Sequence, residues 1–172
     1  SGSWTAMTSN YYPALFKGDK LEELACVLGN KVCEFSEFIQ KESCSNKIRG
    51  TIAGSIGLHN SCHSFRELGI NNEPIKILNQ IEGLEIKEPA KGQVCCGFGG
   101  LFSFKYDQIA AAMAKSRLQQ FLDLKVDLIV ANDPGCIMHM RQEAKDRMID
   151  IKIYHLVEFL VEVMNFNYKD TS

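Results

Sequence analysis

The chain has 172 residues and a formal net charge of −2, from 19 Lys and Arg against 21 Asp and Glu. Hydrophobic residues make up 45% and charged residues 23%, so the chain is globular, with enough length for one real core. The near-neutral balance excludes the electrostatic footprint of a general nucleic-acid binder. No apolar run approaches the 18 or so residues of a membrane span, and no basic segment followed by an apolar stretch marks a signal peptide.

In chain order, residues 1–12 are rich in turn formers. Pro13 opens a helical stretch in which Leu15, Phe16, Leu21, Leu24, Val27 and Leu28 recur at mostly helical spacing. A further helical run covers Val32–Ile39, and 41–49 reads as a polar loop carrying Cys44. Thr51–Leu58 is a short apolar strand, followed by a helix from about Ser64 to Ile81, interrupted by the turn signals of Gly69–Pro74. Leu84–Lys87 is a second strand, and Pro89–Gly100 a loop. Tyr106–Leu124 is a helix whose polar positions include Lys115 and Arg117. Asp127–Ala131 is a continuous apolar strand of the kind buried on both faces. A helix begins near Cys136, Ile151–Tyr154 is a fourth strand, and His155–Asn165 closes the chain as a helix. Strands alternating with helices predict an α/β fold: three layers, with a mainly parallel sheet flanked by helices.

The seven cysteines divide by position. Cys62 follows the first strand, Cys95 and Cys96 the second, and Cys136 the third. In a parallel sheet these loops meet at the carboxyl edge, where such folds place their ligands. Gaps of 32 and 39 residues separate Cys62 from Cys95 and Cys96 from Cys136, so the convergence is a property of topology and not of local spacing. Gly97, Gly99 and Gly100 allow the backbone to approach whatever the thiols hold. Cys26 and Cys33, seven apart on one helix face, read as core residues, and Cys44 as incidental. His59, His63 and His139 lie beside the cysteines. They read as capping or hydrogen-bonding residues, with His139, three after Cys136, the best of them as a ligand. Arg66 is placed to neutralise an anionic centre, or to be solvated, and His155 reads as structural.

Four thiols suit structural zinc or an iron–sulfur cluster. Adjacent side chains diverge, which favours a multi-iron cluster over one tetrahedral zinc. Three chemistries stay open at this point: a cluster that relays electrons, a zinc-stabilised interaction module, and a metal-free thiol–disulfide site.

His59-Asn60-Ser61-Cys62-His63, Cys95-Cys96-Gly97-Phe98-Gly99-Gly100 and Asp133-Pro134-Gly135-Cys136-Ile137-Met138-His139 together resemble the cysteine-rich CCG domain family. That family includes iron–sulfur subunits of lactate-, glycolate- and glycerol-3-phosphate-oxidising systems and of heterodisulfide reductase. The likeness is to its lactate-utilisation branch and runs from Ser1 to about Asn165. It implies that Cys62, Cys95, Cys96 and Cys136 ligate a [4Fe–4S] cluster, within a multi-protein complex that oxidises L-lactate to pyruvate. Other subunits of that complex would be the partners. The expected setting is cytoplasmic, or peripheral to the inner face of the membrane, with this subunit relaying electrons. Two departures from the pattern stand out. His139 occupies the position of a second cysteine in Cys-x-x-Cys, and Trp4 that of a cysteine in a preceding module. On that reading residues 1–49 are the remnant of a preceding module with linker helices, and 50–172 form the CCG α/β domain.

Overall fold

The computed structural model describes residues 1–42, 47–89, 92 and 94–169, with side chains to 164. The elements run α1 (Gly2–Ala6), a π-helical stretch (Met7–Tyr11), α2 (Tyr12–Leu15), α3 (Glu22–Lys31), α4 (Phe35–Lys41), β1 (Gly50–His59), α5 (Cys62–Glu67), α6 (Glu73–Leu78) and β2 (Ile81–Lys87). They continue α7 (Leu101–Lys105), α8 (Asp107–Asp123), β3 (Leu128–Ala131), α9 (Pro134–Asp146), β4 (Lys152–His155) and α10 (Leu156–Lys169).

The four strands form one all-parallel sheet in the order β2-β1-β3-β4. Central β1 and β3 carry the register that positions everything at the carboxyl edge: Ile56 lies opposite Leu128, Leu58 opposite Val130 and His59 opposite Ala131. Strand periodicity then separates the two faces. Ile56, Leu58 and Val130 pack with Ile77, Leu78, Leu156 and Phe159 on one side. Ile129 and Ala131 pack with Leu118, Phe121, Ile137 and Met140 on the other. The helices cover both faces, giving the three layers expected. No helix among the described residues is long and apolar enough to cross a membrane.

Several boundaries differ from the sequence reading. Residues 2–11 are helical rather than a run of turns. The helix expected to run to Ile81 ends at Leu78, and β2 starts at Ile81 because Gly50 and Thr51 pair with Ile81 and Glu82. Backbone pairing there overrides the weak helical period of the segment. The interruption at Gly69, with φ +69°, splits that helix into α5 and α6. Likewise Gly18, at φ +79°, lies between α2 and α3. Cys26 is exposed on α3 and Cys33 half-buried, so neither is the core residue expected. Cys44 lies outside the described residues.

Candidate metal centre

Two cysteine-bearing turns are tied together by a buried amide network. β1 ends in Asn60 and Ser61, and β3 runs into Asn132. The Asn132 side chain accepts from the Ser61 N–H at 2.9 Å and donates to Asn60 Oδ1 at 2.6 Å. Asn60 donates in turn to the Ile70 carbonyl at 2.7 Å. All three side chains are almost fully buried, so these bonds replace the water each polar group gave up. Ser61 caps α5, accepting from the Ser64 N–H, and Cys62 is the first residue of that helix.

Asp133 caps α9 in the same way. Its Oδ1 accepts from the Gly135 N–H at 3.0 Å, which sets Cys136 in the first turn. Its Oδ2 accepts from Ser1 Oγ at 2.8 Å, Ser3 N–H at 3.1 Å and Ser3 Oγ at 2.8 Å. The chain start thus clamps the α9 turn from 130 residues away. Gly2 lies so close to α5 that a Cβ on it would sit 2.0 Å from Ser64 Oγ. Burial raises the Asp133 pKa, but the bonds from Ser3, Ser1 and Gly135 outweigh it and hold the carboxyl below its ordinary value.

The four cysteines meet between these turns. Cys62 Sγ lies 3.9 Å from Cys95 Sγ. Cys95 Sγ accepts the Gly97 N–H at 3.3 Å, and the sulfurs of Cys96 and Cys136 lie within 4.8 Å of each other and of a ring nitrogen of His59. Cys62 and Cys95 are half-buried, while Cys96 and Cys136 are buried. The set therefore presents two thiols at its mouth and two at its floor. Each cysteine here is a free thiol. Bonds from Cys62, Cys96 and the Gly97 N–H push the Cys95 thiol far down. The Cys62 thiol goes up because it donates to Cys95 and is partly buried. Cys96 goes up through its bonds to Cys136 and Cys95 and through burial. Cys62, Cys95 and Cys96 thus share thiol protons through hydrogen bonds between their sulfurs. A cation entering the set would displace those protons.

The glycines after the Cys-Cys pair have a geometric function. Gly97, Gly99 and Gly100 take φ values of +89°, +49° and +55°, and Gly97 abuts the backbone of α8. Phe98 packs over the start of α9, where a Cβ on Gly135 would fall 2.5 Å from its ring. Phe102 is half-buried and Phe104 is exposed.

The histidines differ in their partners. His139 donates Nε2–H to the Ala110 carbonyl at 3.1 Å and lies beside Phe98. His63 Nδ1 is 3.7 Å from Cys62 Sγ. His59 is fully buried among the thiols, its Nδ1 accepting from Arg117 Nε at 3.0 Å. Arg117, read from the sequence as a polar helix position, is 1% exposed. Its guanidinium also donates to the Gly92 carbonyl at 3.1 Å and Gln120 Oε1 at 2.9 Å, and lies 4.6 Å from the Phe121 ring centroid. Burial lowers its pKa to about 10, so it remains a cation at neutral pH, next to Cys96 and Cys136. Arg66 is exposed, and among the described residues Arg117 is the buried positive charge of the site. One sequence signal marks it. Arg117 falls on the stripe of Ala110, Ala114, Leu118 and Phe121, the buried face of α8.

Fold and site together define a parallel α/β domain whose strand ends gather cysteines from three separate loops into one cluster of thiols with the donor chemistry to hold a metal. The chain belongs to the cysteine-rich CCG domain family, whose model matches residues 56–141. It is similar to Lactate utilization protein A 2 of Bacillus cereus, 34% identical over 166 residues, spanning 96% of this chain and 69% of that protein. Lactate utilization protein A 1 of Bacillus anthracis matches at the same identity and coverage. Lactate utilization protein A of Oceanobacillus iheyensis is 36% identical over 165 residues, 93% of this chain and 66% of that one.

Proposed function

We propose that this chain is an iron–sulfur electron-relay subunit of a system that oxidises L-lactate to pyruvate, with Cys62, Cys95, Cys96 and Cys136 as the ligands. The observation that carries the reading is the meeting of four thiols from three loops at one sheet edge. The donor chemistry fits: soft sulfur ligands, two of them on adjacent residues that diverge, suit a multi-iron centre. His59, one ring nitrogen of which lies within 4.8 Å of the Cys96 and Cys136 sulfurs, also has a buried Nε2 with no hydrogen-bond partner among the described residues. A metal centre introduces sulfur acceptors there. When bound, the cluster supplies a one-electron carrier. The chain's own residues hold and shield it. The Asn60–Asn132 network fixes the two capped turns, Arg117 balances anionic sulfur, and the half-buried Cys62 and Cys95 leave an approach for electron transfer.

Lactate as the substrate of the whole system follows the names of the relatives. Other subunits of that system are the proposed partners, at a cytoplasmic location or on the inner face of the membrane. The test is anaerobic purification or reconstitution, with iron and sulfide analysis and visible absorbance. Broad absorbance near 400 nm with iron and sulfide in the protein is the expected outcome. Zinc without iron in anaerobic material would overturn the proposal in favour of a zinc-stabilised interaction module.

A further inference from the structure

We infer that His59 serves the metal centre as a hydrogen-bond donor to sulfur and not as a ligand, with Arg117 as the positioning residue that enforces this. The inference rests on the proposal that the four cysteines hold a metal centre.

His59 ends β1, opposite Ala131, and is fully buried. One ring nitrogen lies within 4.8 Å of the sulfurs of Cys96 and Cys136, so proximity alone would count it as a third ligand. Hydrogen-bond chemistry excludes this. A guanidinium has donors only, so the 3.0 Å bond from Arg117 Nε occupies the Nδ1 lone pair. The neutral ring must then carry its single proton on Nε2. Neither nitrogen is left with a free lone pair for a metal.

The Nε2–H has no partner among the described residues and no contact with solvent. A buried donor without an acceptor forfeits its hydration with nothing in return. Such a cost persists in a packed interior when an acceptor is supplied in the working state. Thiolate or inorganic sulfide in the adjacent centre is that acceptor. Arg117 cannot rotate away cheaply, because Gly92, Gln120 and the Phe121 ring hold the rest of its guanidinium. A donor to sulfur stabilises the more negative, reduced form of a cluster, and so favours reduction.

Nitrogen-15 histidine NMR of the metal-free and zinc-loaded protein decides the tautomer without any substitution. Nε2 of His59 is expected to stay protonated in both states. Loss of that proton on zinc loading would mean ligation and overturn the inference. In iron-reconstituted protein, His59→Leu is expected to lower the reduced-to-oxidised ratio at fixed ambient potential about tenfold, about 59 mV for a one-electron couple. His59→Gln, which keeps an N–H donor, should stay within about threefold of wild type by the same relation. Equal potentials in wild type and both variants would overturn the donor assignment. A chain that binds zinc but never iron would sink the electron-relay proposal, while the NMR result would still decide the role of His59.

Discussion

Gly97 is the position at which a single methyl group tests the site's architecture most directly. Its φ of +89° is left-handed, and a Cβ there would lie 2.6 Å from the Ala110 carbonyl oxygen and 2.8 Å from Met113 Cβ. Backbone strain at such a φ costs about 1–3 kcal/mol. Forcing a methyl against the α8 backbone costs about 1–3 kcal/mol more. Gly97→Ala should therefore lose about 2–6 kcal/mol, out of the roughly 5–15 kcal/mol that holds a domain folded. A central loss of about 4 kcal/mol lowers the melting temperature by about 8–16 °C in a chain of this size. Gly100→Ala is the control. Its φ is +55°, but nothing lies within 4 Å of the added carbon, so only the strain remains. Urea unfolding of the metal-free variants, followed by circular dichroism, separates strain from collision. If Gly97→Ala and Gly100→Ala are equally stable, the close approach of loop and α8 is not what requires glycine, and the reasoning fails.

Asp133 has its pKa held below the ordinary 3.8 by the bonds from Ser1, Ser3 and Gly135. Its contribution to stability is thus present above about pH 3.8 and lost as pH falls through the lower folded value. Asp133→Asn should be less stable than wild type at pH 7, with the difference shrinking in acid. A constant difference between pH 7 and pH 2.5 in denaturation curves would contradict this. Gly57→Ala drives a Cβ to 2.4 Å from the Phe121 ring, which packs against both Arg117 and His59, and should cost about 1–3 kcal/mol in unfolding free energy. Cys26→Ser and Cys33→Ser should leave metal content unchanged, because neither thiol belongs to the clustered set. Cys96→Ser should abolish tight loading, as read by iron analysis after desalting. Full loading of Cys96→Ser would remove that residue from the ligand set.

Some of this was legible without coordinates. The alternation of apolar strands with amphipathic helices carries the parallel sheet. Placing Cys62, Cys95, Cys96 and Cys136 each just after a strand then sends them to one edge, since strands run the same way. Those are local patterns, periodic over a few residues, and a linear reading can find them. The boundaries near Ile81 were less legible, because pairing with Gly50 and Thr51 decides them.

What the sequence determined by itself was therefore the class of fold and the thiol set. Tertiary structure alone decided the surroundings of that set. Arg117 is 58 residues from His59, and nothing in either local pattern pairs them. Ser1 and Ser3 reach Asp133 across 130 residues and more. Asn132 joins Ser61 and Asn60 across 71 and 72. Hydrogen bonds between distant residues leave no period in the chain. They exist only once the fold has brought the partners together and burial has removed the water that would compete for them.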